Sequence, residues 1–170
     1  MQLHKIMKIS ELHKMRLLMR LLTGDPVESM EAAKDIVGRK GVLAPALLLE
    51  VAMNKKYRTW SRVGAVYAMG FLGFKSSVPG LIRILEESKE PLSLRCHAAE
   101  AIGNTQDSRA IEVLEQVLMR EEPPSLKKWC IYALSQIGTS RAKVILTKIK
   151  EAKPKGMIAK EINLAFEHLK

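Results

Sequence analysis

Cysteine is scarce: Cys96 and Cys130 are the only two in 170 residues. That is too few for a disulfide framework, and both fall inside apolar helical patterns where a reduced thiol packs as a small hydrophobe. A reducing, cytoplasmic setting is the expectation. Aromatic residues reach only 5%, whereas Leu, Ile, Ala and nine Met are plentiful, a balance that disfavours an all-β chain. Nowhere does an apolar run approach the roughly 18 residues needed to cross a bilayer. In residues 1–23, Lys5, Lys8, Lys14, Arg16 and Arg20 interrupt the apolar positions, so a signal peptide is not expected and the chain reads as soluble and unexported.

Reactive constellations are missing as well. His4, His13, His97 and His168 include no pair at i, i+4. There is no His-Glu-x-x-His, Gly-x-Ser-x-Gly, Cys-x-x-Cys or glycine-rich phosphate loop. Cys96 and His97 are adjacent, and neighbours on a helix point about 100° apart, which is poor geometry for a nucleophile and its base. Cys96 is expected to be packed and His97 to be a surface or turn residue. The expectation is a protein without catalytic residues, metal or cofactor.

What the chain does contain is enough apolar material, 47% against 27% charged, for the core of one domain over residues 1–170. It also contains a repeat. RVGAVYAMG at 62–70, RCHAAEAIG at 95–103 and KKWCIYALS at 127–135 follow one another at offsets of 33 and 32, with MEAAKDIVG at 30–38 and AKEINLAFE at 159–167 as outer copies. One column holds Ala33, Ala65, Ala98, Cys130 and Ile162; a second holds Ile36, Ala68, Ala101, Ala133 and Ala165; a third holds Val37, Met69, Ile102, Leu134 and Phe166. Spacing of i, i+3, i+4 is one helical face, and the small side chains in two of the columns predict a neighbouring helix at close range.

Each copy is followed by a second periodic segment. Counted from Ala44, Val78, Ala110 and Ala142, the positions three, four and seven further on are all large aliphatics, among them Leu48, Leu81, Leu114 and Leu146. Pro45 and Pro79 share a place in the first turn, where a missing N–H costs little. Gly38, Gly41, Gly73, Asp107, Ser108 and Gly138 to Ser140 punctuate the helices with stop and cap residue types. The amphipathic segment 3–22, with Ile9, Leu12, Met15, Met19 and Leu22 on one stripe, is expected to cap the first repeat as an N-terminal element of residues 1–24.

A cationic residue, Ala-rich core positions ending in Gly and a Leu-rich second helix, at a period near 32, resemble the short HEAT-like repeats also found in phycobilin lyases. The resemblance covers residues 27–170 and implies an all-α fold, a right-handed solenoid of about five helix pairs whose second helices line a concave side. Its motif is one of packing and not of chemistry. The repeated His-Glu metal ligands of enzymes similar to deoxyhypusine hydroxylase do not occur here.

On that layout, the binding residues expected on the concave face are Leu49, Met53, Arg83, Glu87, Glu112, Glu115, Met119 and Thr147. Leu49 and Met53 extend the apolar run beyond one buried stripe, which marks a contact unless the N-terminal helix covers them. Trp60, Tyr67, Trp129 and Tyr132 fall on the first helices and are expected on the outer side, either packed between repeats or serving as contact anchors. The net charge of +10 is uneven: +4 over residues 1–24, +2 over 25–90, −3 over 91–124 and +7 over 125–170. Lys143, Lys148 and Lys150 make a local basic patch, yet an acidic belt separates the basic ends, unlike a groove that tracks a phosphate backbone. The first reading is therefore a scaffold or adaptor that binds a protein or peptide along the concave face. The alternative is nucleic-acid binding by the basic ends, and a bilin-lyase-type activity ranks third.

Overall fold

The computed structural model describes residues 2–39, 43–120 and 122–169, with side chains from Leu12 onward. Gly41 among the sequence expectations lies outside what it describes, as do the side chains of His4 and Ile9. Ten α-helices occur among the described residues: α1 (Gln2–Leu22), α2 (Pro26–Gly38), α3 (Pro45–Met53), α4 (Thr59–Phe71), α5 (Val78–Glu86), α6 (Leu92–Thr105), α7 (Ile111–Met119), α8 (Pro124–Ile137), α9 (Ser140–Glu151) and α10 (Gly156–His168). None is long and apolar enough to cross a membrane. Local chemistry sets several ends. Asp25 caps α2 by accepting from the Glu28 N–H at 2.9 Å, with Pro26 at the first helical position. Thr139 caps α9, and Gly138 closes α8 in the left-handed region at φ 63°.

The helices stack as an all-α solenoid in which each packs on its neighbours. Helices α2, α4, α6, α8 and α10 lie side by side in one layer. Helices α3, α5, α7 and α9 form a looser second layer. The intimate partner of each second-layer helix is the one that follows it, α3 with α4, α5 with α6 and α7 with α8, while α9 lies against both α8 and α10. Helix α1 pairs with α2 in the same way and also touches α4, so it is the first member of the first pair.

The apolar stripe on α1 is not the one its sequence suggests. Leu12, Met15 and Met19 are 56%, 56% and 67% exposed, whereas Leu17 and Leu21 are buried. Two helical stripes overlap in this segment, and the one ending in Leu17, Leu18, Leu21 and Leu22 meets the core.

The layers differ in spacing. A Cβ at Gly70 would stand 2.6 Å from the Ala101 Cα, and one at Gly103 would stand 2.8 Å from the Ala133 Cα. These helices therefore approach until backbone meets backbone, which only glycine permits. In the second layer side chains keep the helices apart. A stack with two unequal spacings bends towards the closer one, so α2, α4, α6, α8 and α10 line the concave side. This reverses the expectation that the second helices do. The reason is the Ala- and Gly-rich columns themselves, whose small side chains shorten the inner radius.

A repeated arginine ties the pairs together. Arg62 donates its Nε–H to the Ala52 carbonyl at 2.7 Å and two further N–H groups to Glu90 at 2.7 and 2.8 Å. Arg95 does the same with the Leu85 carbonyl at 2.9 Å and with Glu122 at 3.0 and 2.7 Å. At the next step Lys127 stands in the arginine's place, and the turn 152–155 offers no carboxylate.

Candidate functional site

The exposed side of the concave layer is a grid set by the repeat. Relative to Arg62, positions two before and two, five and nine after recur across the helices. Trp60, Ser93, Ser125 and Met157 form one column, and Gly64, His97, Trp129 and Glu161 the next. Tyr67, Glu100, Tyr132 and Leu164 follow, then Phe71, Asn104, Gln136 and His168. Spacings of three and four residues keep these positions on one helical face. Apart from Gly64, which is buried, the α4 and α6 positions of the grid are partly or fully exposed.

At the centre of this grid the side chains meet. Tyr67 stacks on Phe71 with ring centroids 4.4 Å apart. Trp129 and Tyr132 meet edge to face at 5.5 Å, a favoured aromatic geometry. The Tyr132 hydroxyl donates to the Asn104 Oδ1 at 3.0 Å. The Lys128 ammonium sits 5.0 Å from the Trp129 ring centroid. His97 Nδ1 lies 3.6 Å from a Glu100 carboxylate oxygen, too far for a hydrogen bond. His97 Nδ1 and Asn104 Nδ2 are both buried without a hydrogen-bond partner, at a cost in stability that an incoming group could relieve.

Burial dominates the electrostatics. It pushes the Glu100 carboxyl above the usual carboxylate range, with Lys128 pulling the other way. It holds His97 below the ordinary histidine value, so the ring is neutral at pH 7. Both tyrosines are raised, chiefly by burial and then by the Glu100 charge. Three helices thus place a half-buried carboxylate in one column between two tyrosines, one of which packs against a tryptophan.

The residues expected on the concave face sit on the opposite one, because they belong to the second layer. Leu49 is half-buried and fills the space that a side chain at Gly80 of α5 would take. Helix α5 therefore covers it. Met53 is likewise packed against the core. Arg83 is exposed, and Glu87 lies 3.9 Å from Lys55. Thr147 donates its hydroxyl to the Lys143 carbonyl of its own helix at 2.9 Å.

Four expected residues do come together. Glu112, Glu115 and Met119 line an open groove of about 800 Å³ between α7 and α9, with Arg109, Arg120 and Arg141. Arg141 pairs with Glu115 at 2.7 Å. Beside it Lys148 and Met119 border an apolar hollow of about 200 Å³ over Leu118, Ile145 and Ile149. Lys143 and Lys150 are exposed on α9, Lys150 lying 4.4 Å from the Phe166 ring centroid. A stack of neighbour contacts keeps these lysines and the basic α1 at opposite ends, so the two basic segments do not merge.

Tyr67 and Tyr132 share one column, as their spacing predicts, but on the concave side and not the outer one, and His97, expected as a surface or turn residue, is half-buried within α6. Glu100 is not among the residues the sequence singles out, although the same offsets of 33 and 32 set it between the two tyrosines. Cys96 and Cys130 are buried, as expected, and burial pushes the Cys130 thiol up to about 12, far from a reactive thiolate.

The family model of HEAT repeats matches the chain in two overlapping windows, residues 45–135 and 78–165. No curated protein matches it significantly by sequence. Among solved structures it is similar to a chain in the complex of CpcE and CpcF of phycocyanin lyase from Nostoc sp. PCC7120, with a TM-score of 0.67 and 21% identity over 90% of this chain. This chain spans 63% of the length of that one. At this identity the likeness is one of fold.

Proposed function

We propose, starting from a chain that belongs to the HEAT repeat family, that it is a non-enzymatic interaction module receiving a peptide or protein segment on the concave face of α4, α6, α8 and α10. One observation carries this reading: Trp60, Tyr67, Phe71, Trp129 and Tyr132 all fall on the partly exposed side of that layer. Aromatic side chains anchor interfaces because they bring large apolar area at small entropic cost.

The test compares faces. A photo-crosslinker is placed at Ser93, an exposed position on the concave grid, and another at Glu112 in the outer groove. The reading expects a crosslinked polypeptide from Ser93 that Trp129→Ala removes, and none from Glu112. Crosslinking from Glu112 alone would move the interface to the outer groove. A second reading is favoured by the likeness to the phycocyanin lyase complex of two chains: a lyase subunit working with a second chain. Failure to attach or detach a bilin on a phycocyanin, alone and with added partner chains, would sink it.

A further inference from the structure

We propose that the cluster of Glu100, Tyr67, Trp129 and Tyr132 is a subsite for a cationic side chain of the bound segment, an arginine guanidinium or a lysine ammonium. The inference rests on the interaction reading and specifies what the central part of the face recognises.

Three observations converge. First, the carboxylate is half-buried, and among the described residues Lys128 is the cation whose charge reaches it, without an ion pair or hydrogen bond between them. His97 is neutral at pH 7 and beyond hydrogen-bonding distance, so it leaves the charge uncompensated. A charge taken partly out of water without a close partner gains from one. Second, the walls are aromatic. Tyr67 and Tyr132 hold the same column as Glu100 on the two flanking helices, and Trp129 meets Tyr132 edge to face. Ring faces attract cations. Third, the molecule already shows the contact in part, because the Lys128 ammonium lies over the Trp129 ring at 5.0 Å. A partner's cation would take the same kind of place and add the hydrogen bonds to Glu100 that Lys128 does not make. The surrounding charge fits. Glu161 of α10, almost fully buried, adds a second carboxylate beside Tyr132, and both tyrosine hydroxyls are neutral at pH 7. Lys128 is the competitor, so the ligand has to displace it.

The experiment uses the intact chain, with N-acetyl-arginine amide and N-acetyl-lysine amide as cationic probes and N-acetyl-glutamate amide as the anionic control. Binding is followed by NMR through the Trp129 indole N–H and the amides of His97, Glu100 and Tyr132. The cations should shift these resonances saturably in the millimolar range, about what a single charged anchor supplies, and the anion should not. Glu100→Gln keeps the shape and removes the charge; it should weaken the cations roughly tenfold, the worth of one charge-assisted hydrogen bond. Lys128→Met removes the competitor and should strengthen them roughly threefold. Thermal melts confirm that both variants are folded. Cation affinity unchanged in Glu100→Gln, or a stronger response to the anion, overturns the subsite. Neither result touches the interaction reading, which stands or falls on the crosslinked polypeptide.

Discussion

Arg62 grips Glu90 with two parallel hydrogen bonds of 2.7 and 2.8 Å, and both side chains are almost fully buried. The third hand of the same guanidinium holds the Ala52 carbonyl at the end of α3. One residue therefore fastens a helix end to the turn of the next pair, and Arg95 with Glu122 repeats the device one step along. Glu90→Ala would leave a buried cation without its partner, and it should cost about 3–5 kcal/mol. Urea unfolding measures this. Replacing Lys127, at the third step where no carboxylate waits, by Met should cost well under about 1 kcal/mol. Equal losses at the two sites would show that the ion pair is not what stabilises the stack.

The same carboxylates set the acid limb of stability. Hydrogen bonds from Arg62 and Arg95 hold Glu90 and Glu122 below the ordinary glutamate value despite their burial. A lowered folded value means stability that is present above about pH 4.3 and lost as the pH falls through the folded value. Asp107, held at about 2 chiefly by the hydrogen bond from Arg109, loses its contribution between about pH 4 and that value. Glu100 has the opposite sign. Its raised value favours the protonated form in the folded state, so its contribution is present in acid and fades as the pH rises through the raised value. Glu100→Gln should therefore raise the midpoint of thermal unfolding at pH 7 but not at pH 4. A midpoint lowered at both would contradict the assignment.

Close backbone contact makes Gly70 irreplaceable where Gly38 is not. A methyl group at Gly70 would collide with the Ala101 backbone, which cannot yield as a flexible side chain can. Gly70→Ala should cost about 2 kcal/mol or more, through strain of the kind that overpacking produces. At Gly38 the same added methyl meets nothing within 4 Å, and Gly38→Ala should be neutral or stabilising by about 0.5–1 kcal/mol. Chemical denaturation of the two variants side by side reads the difference. Tolerance at Gly70 would mean that the inner helices can move apart.

On α1 the two apolar stripes can be told apart by substitution. Leu21 is fully buried, and its carbonyl accepts a hydrogen bond from the Ser29 hydroxyl at 2.9 Å. Leu21→Ala should cost about 2–5 kcal/mol. Met19→Ser, at a site 67% exposed, should stay within about 0.5 kcal/mol. The reverse ranking, in thermal or urea unfolding, would mean that α1 docks by its other face.

Ala33, Ala65, Ala98 and Cys130 were recognisable as core from their spacing, and all four are fully or almost fully buried. The repeat period, the helical class and the aliphatic cores of the second segments follow from the sequence alone, because a 3.6-residue period records which face of a helix avoids water. Three things did not follow from it. The sequence shows which face is buried but not against which neighbour, so the pairing of α3 with α4 needed the long-range contacts. The curvature depends on how closely two backbones pack, a sum over Gly70, Ala101, Gly103 and Ala133 that no single helix contains. Charge in the chain also does not tell whether a carboxylate faces a partner. Glu122 looks like part of an acidic surface belt, yet Arg95 takes it inside, whereas Glu100, one acid among six between residues 91 and 124, is the one that three helices bring together with aromatic rings. Which of two chemically identical side chains meets solvent is decided by the arginine or the ring that tertiary packing sets beside it.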